Sequence, residues 1–102
     1  MSKDAEKVLN EIIHEPFTFG FLIKSIRETE YDDMTQQKFA EFLGISKSRL
    51  SDIENNRYTI SIKKAIELAI KLEQSKRFFV ATTLQDMLNN NNLNYKIGLE
   101  MA

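Results

Sequence analysis

An all-α protein is predicted by three observations. Apolar residues recur at spacings of three and four along most of the chain, glycine and proline are scarce at three and one in 102 residues, and a serine or threonine stands ahead of successive apolar stripes. The reading is five helices, with a short N-terminal helical arm before them and a C-terminal β-strand after them.

The arm spans residues 1–16, where Ala5, Val8, Leu9, Ile12 and Ile13 keep helical spacing until Glu15-Pro16 ends the pattern, because proline restricts the residue before it. Thr18 then caps a first helix carrying Leu22, Ile23 and Ile26, with Phe17 placed to staple onto Leu22, and the helix ends near Glu30. An acidic loop over Thr29 to Asp33 leads to Thr35, the cap of a second helix with Phe39, Ala40, Phe42 and Leu43. Gly44 stops that helix by supplying a left-handed backbone, and Ser46 starts a third one bearing Leu50 and Ile53. After the polar break Asn55-Asn56-Arg57-Tyr58, either Ser61 or Thr59 caps a fourth helix with Ile62, Ala65, Ile66, Ala69, Ile70 and Leu72. Ser75 caps a fifth through Phe78, Ala81, Leu84 and Leu88, and the run Asn89 to Asn92 stops it. From Leu93 the period changes to two: Leu93, Tyr95, Ile97, Leu99 and Met101 alternate with polar or small residues, as in a half-buried strand. A lone strand needs a ladder, so it is expected to pair with the same strand of a second subunit, a frayed tail being the alternative.

Composition excludes several classes of function. The absence of cysteine removes disulfides, thiolate metal sites and a cysteine nucleophile. His14 is the only histidine, sits before the proline-marked break without metal-ligand spacing, and reads as solvated surface. There is no glycine-rich phosphate loop, so no catalytic residue, metal or cofactor is assigned. No apolar run approaches the roughly 18–20 residues of a membrane span, and the expectation is a soluble cytoplasmic protein without a membrane partner. Ordering about 100 residues costs on the order of 100–200 kcal/mol of conformational entropy, which makes burial shared with a second copy plausible.

The segment from Thr35 to Arg57 has the form of a DNA-binding helix-turn-helix. Ala40 is small enough for two helices to cross closely, Gly44 makes the turn, Ile45 plugs the space between the helices, and Leu50 with Ile53 anchors the second of them. At about 100° per residue, Lys47, Ser48, Ser51, Asp52 and Asn55 fall on the opposite side, which is polar and rich in hydrogen-bonding groups.

This stretch resembles the Cro/XRE family of bacterial and phage repressors, whose domain is lambda-repressor-like. The threonine-glutamine start at Thr35-Gln36, Ala40, Gly44-Ile45-Ser46, Leu50-Ser51, Ile53-Glu54 and Asn55-Asn56-Arg57 all match its pattern, within a likeness covering most of Phe17 to Leu72. The resemblance implies that the helix starting at Ser46 enters the major groove of double-stranded DNA. It also implies that Gln36 meets phosphate at a helix N-terminus, that Lys47, Ser48 and Asp52 read bases or sit beside them, and that Asn55, Asn56 and Arg57 reach the backbone. Arg27 and Glu54 match a pair that forms a structural salt bridge. Asn56 stands where glycine is common, which points to a positive φ, and the fifth helix with the strand falls outside the shared domain. The organisation is therefore an arm at 1–16, a helix-turn-helix domain at 17–74 and a dimerising helix and strand at 75–102.

Chemistry refines these roles. Lys47 suits guanine O6 or N7, or else a phosphate; Asp52 suits the cytosine N4 donor, or else pairs with Arg49 one turn back. Ser46, Arg49 and Arg57 are phosphate candidates with Tyr58 beside them, and Ser51 is a marginal base reader. Phe78, Phe79, Leu84, Tyr95, Ile97 and Leu99 are candidates for a dimer surface. Charge agrees with the motif: residues 1–34 carry a net −4, residues 35–64 a net +3, and the rest balance to give −1 overall. Two functions follow, a homodimeric repressor on a palindromic operator, or an antitoxin or adaptor that binds a partner protein such as a toxin and regulates its own operon.

Overall fold

A computed structural model of the chain describes residues 17–91. The expected arm and the strand with Tyr95, Ile97 and Leu99 lie outside the described residues. Within them the chain forms α1 (Phe19–Glu30), α2 (Gln36–Leu43), α3 (Lys47–Glu54), α4 (Ile62–Lys71) and α5 (Lys76–Asn90).

One capping device starts all five. The hydroxyls of Thr18, Thr35, Ser46, Ser61 and Ser75 accept from the N–H groups of Phe21, Lys38, Arg49, Lys64 and Phe78, three residues on. Each such cap is worth about 1 kcal/mol, and the fourth is Ser61 rather than Thr59. A second device ends three of the helices. Gly44, Asn56 and Glu73 lie in the left-handed region at φ 76°, 60° and 54°. The next N–H closes back over each helix end, from Ile45 to the Ala40 oxygen, Arg57 to Asp52 and Gln74 to Ala69. The positive φ expected of Asn56 is present. The fifth helix ends at Asn90, inside the asparagine run expected to stop it, and the side-chain amide of Asn91 donates to the Met87 carbonyl at 2.7 Å and serves the helix end.

Phe39, Phe79, Ile23, Leu43, Leu50 and Leu68 are the largest fully buried apolar side chains, drawn from all five helices. Gly20 is required where α1 crosses α3, since a Cβ there would overlap the Ile53 carbonyl oxygen. Phe17 sets its ring against Phe21 and Phe78, at 5.5 and 5.7 Å between centroids. Phe17 thereby joins an aromatic cluster at the start of α1 and packs against the core that contains Leu22.

The fifth helix is part of this core and not an appendage to it. Phe79 has no exposed surface and meets Phe19 edge-on at 5.4 Å. Buried Thr82 and Thr83 spend their hydroxyls on the Phe78 and Phe79 carbonyls at 2.8 Å, so their burial leaves no donor unmet. Two longer ties reach across: an Asp86 carboxylate oxygen accepts from the Phe19 N–H at 3.0 Å, and the Asn90 amide donates to Thr59 at 2.9 Å. Phe79 is therefore corrected from a dimer candidate to a core residue of the single chain, whereas Phe78 and Leu84 keep part of their surface.

Candidate nucleic-acid interface

The buried side of α3 fixes how its other side is shown. Leu50 and Ile53 are sunk in the core, and Glu54 joins them despite its charge. Its carboxylate receives the Arg27 guanidinium through two bonds of 2.8 Å, from Nε and Nη2, with side-chain exposures of 18 % for Arg27 and 4 % for Glu54. Hydrogen bonding to Glu54 raises the Arg27 pKa against the opposing effect of burial, so the cation is held charged. Losing one partner of a pair this well buried costs roughly 3–5 kcal/mol, because the other charge stays behind unpaired. The expected structural salt bridge is present, and it locks α3 to α1.

At the start of α3, Lys47, Ser48 and Arg49 are exposed. The Arg49 guanidinium stacks on the Tyr58 ring, 3.7 Å from its centroid. Further along, the Arg57 Nε donates to Asp52 Oδ1 at 3.0 Å, and its Nη2 lies 3.4 Å from the Ser51 hydroxyl. The Asn55 amide donates to the Ser51 carbonyl at 2.8 Å. Two helices with a tight glycine turn, the second anchored inward and polar outward, form a helix-turn-helix, and a helix-turn-helix family profile matches residues 23–79.

This chain belongs to that family. It is a Cro/XRE-like DNA-binding protein, of a regulatory rather than an enzymatic family. The "ImmF control region 10 kDa protein" of Bacillus phage phi105 is 36 % identical over 66 residues, 65 % of this chain and 71 % of that protein. No solved structure matches the chain. The matched region of this helix-turn-helix protein ends inside α5, consistent with that helix sharing the core.

The fold brings most of the sequence-derived positions together around α3. Ser46, Lys47, Ser48 and Arg49 at the start of α3 and Asn55, Asn56, Arg57 and Tyr58 after its end are exposed, with Ser51 and Asp52 partly exposed between them. Gln36, at the start of α2, arrives beside the Arg27–Glu54 pair, its amide 3.4 Å from Glu54 Oε1. Asp52 pairs with Arg57 and not with Arg49, which faces Tyr58 instead. The reason is the left-handed Asn56, which turns the chain back so that a side chain five residues away reaches the Asp52 carboxylate. Sequence reasoning missed Lys71. Its ammonium donates to the Phe42 carbonyl at 3.1 Å, above Gly44, and so helps hold the turn from α4. A separation of 29 residues leaves no local signal for such a contact. Among the described residues, no group of acidic, histidine or cysteine side chains could hold a metal, and no helix is long and apolar enough to cross a membrane.

Proposed function

We propose that this DNA-binding regulator is a homodimeric repressor that reads a palindromic operator with α3. The observation that carries the reading is the two-sidedness of that helix: Leu50, Ile53 and Glu54 are buried, while Lys47 and Ser48 are open to solvent at its N-terminal end. In this reading Lys47, Ser48, Ser51 and Asp52 face base edges. Gln36, Ser46, Arg49, Asn55, Asn56 and Tyr58 lie toward the flanking phosphates, with Arg57 at the same edge. The net +3 of residues 35–64 against −4 of residues 1–34 supports directed rather than general attraction to DNA. Two copies of α3 would enter successive major grooves about 34 Å apart.

Selection of bound duplexes from a random pool, at two salt concentrations, tests the proposal. The expected result is one palindrome, enriched at both. Replacing Lys47 and Ser48 together by Ala should weaken binding to it by roughly 10–100-fold, since a good base contact is worth about 1–3 kcal/mol. Undiminished affinity in that variant, or no enrichment with the wild type, would overturn the reading.

A further inference from the structure

We propose that Arg57 is a positioning residue for Asp52 and not a phosphate anchor. It holds that carboxylate toward the bases so that Asp52 selects, at one base pair of each half-site, a base presenting an exocyclic amino group in the major groove. The inference rests on α3 being the DNA-reading helix and adds what one pair of side chains on it does.

Three observations converge. The carboxylate is on the outward side of α3, at 42 % side-chain exposure, where an unpaired anion would be repelled by phosphates. Arg57 neutralises it through the 3.0 Å Nε contact to Oδ1, and its second contact, from Nη2 to the Ser51 hydroxyl at 3.4 Å, ties the guanidinium to α3 as well. Among the described residues the other Asp52 oxygen has no hydrogen bond, which leaves an acceptor on a side chain open to solvent. The backbone reinforces this placement, because the Arg57 N–H donates to the Asp52 carbonyl at 2.8 Å and so fixes where the arginine side chain begins.

Energetics separate this role from a stabilising one. An ion pair this exposed adds little to folding, so its effect lies in orientation and charge. A carboxylate is acceptor-only, and in the major groove the matching donors are cytosine N4 and adenine N6. Oxygen acceptors at the same position, guanine O6 or thymine O4, would meet a second acceptor and be rejected.

The test uses the full chain with the operator obtained by selection. Affinity is measured for that operator and for each single base-pair change in a half-site, over a range of salt. The proteins are wild type, Asp52→Ala, Arg57→Met and the double variant, each checked for an unchanged melting curve. For wild type, one position should prefer cytosine or adenine by roughly 10-fold or more. Asp52→Ala and Arg57→Met should each reduce that preference to within a few-fold. The double variant removes the pair as a neutral unit, so its salt slope should equal that of wild type. A slope shallower by about 0.9 per subunit in the double variant would make Arg57 a phosphate contact and overturn the proposal. Full base preference in Asp52→Ala would overturn it too, while leaving DNA reading by α3 intact. Failure of the wild type to enrich any sequence would remove the DNA reading and this inference together.

Discussion

Asp86 shows how one side chain can couple helix placement to pH. One oxygen of its carboxylate caps the N-terminus of α1 through Phe19, but the other is buried and has no partner among the described residues. Burial accordingly pushes the carboxyl pKa up from its ordinary 3.8, and the Phe19 N–H only partly opposes that rise. The folded state therefore favours the protonated acid more than the unfolded chain does. Its contribution to stability is complete below the ordinary aspartate value and is lost as pH climbs through the raised one. Asp86→Asn keeps an oxygen to accept from Phe19 and removes the titration. The expected outcome, in urea unfolding followed from pH 4 to 7, is a variant whose stability relative to wild type improves with rising pH and then levels off. A constant difference between the two proteins would show that Asp86 does not carry the effect.

The helix ends hold a related tension at the scale of an element. Gly44 and Asn56 suit a left-handed backbone, one lacking a Cβ and the other able to bond locally, but Glu73 has neither advantage at φ 54°. Its position is imposed by the turn from α4 into α5, where the Gln74 N–H reaches the Ala69 carbonyl at 2.8 Å. Glu73→Gly should stabilise the protein by about 1 kcal/mol, after allowing for the extra freedom that glycine has in the unfolded chain. A rise in the urea midpoint at unchanged slope would be its signature, and a fall would mean that Glu73 makes an interaction outweighing the strain. This contrast also explains what was legible from sequence. Helix starts depend on a hydroxyl and its neighbours within three residues, so four caps could be read outright and the remaining one narrowed to Ser61 or Thr59, and Gly44 and Asn56 advertised their turns by residue type. Glu73 carries no such mark. Nor could Asp52 be matched with Arg57 instead of Arg49, because that choice follows from the fold of the intervening loop, and the ties made by Lys71 and Asp86 exist only once distant helices have packed.

For the molecule as a whole, the question is where the folding unit stops and association begins. Residues beyond Gln74 looked separable by motif, but the buried Phe79 and the ties from Asp86 and Asn90 make α5 one wall of the core. Loss of a buried phenylalanine alone costs about 3–5 kcal/mol, a large share of the roughly 5–15 kcal/mol by which a domain is stable. Two truncations should consequently fail in different ways. A chain ending at Gln74 is expected to lose cooperative thermal unfolding, and its DNA binding with it. A chain lacking only Leu93 to Ala102 should unfold cooperatively with its core intact. If that segment joins two subunits, the same chain should sediment as a monomer at concentrations where the full chain is dimeric, and bind the operator more weakly. Each half-site contact would then be made without the gain from a linked second site. Sedimentation as a dimer with undiminished operator affinity would instead move the interface to the partly exposed face of α5 around Phe78 and Leu84.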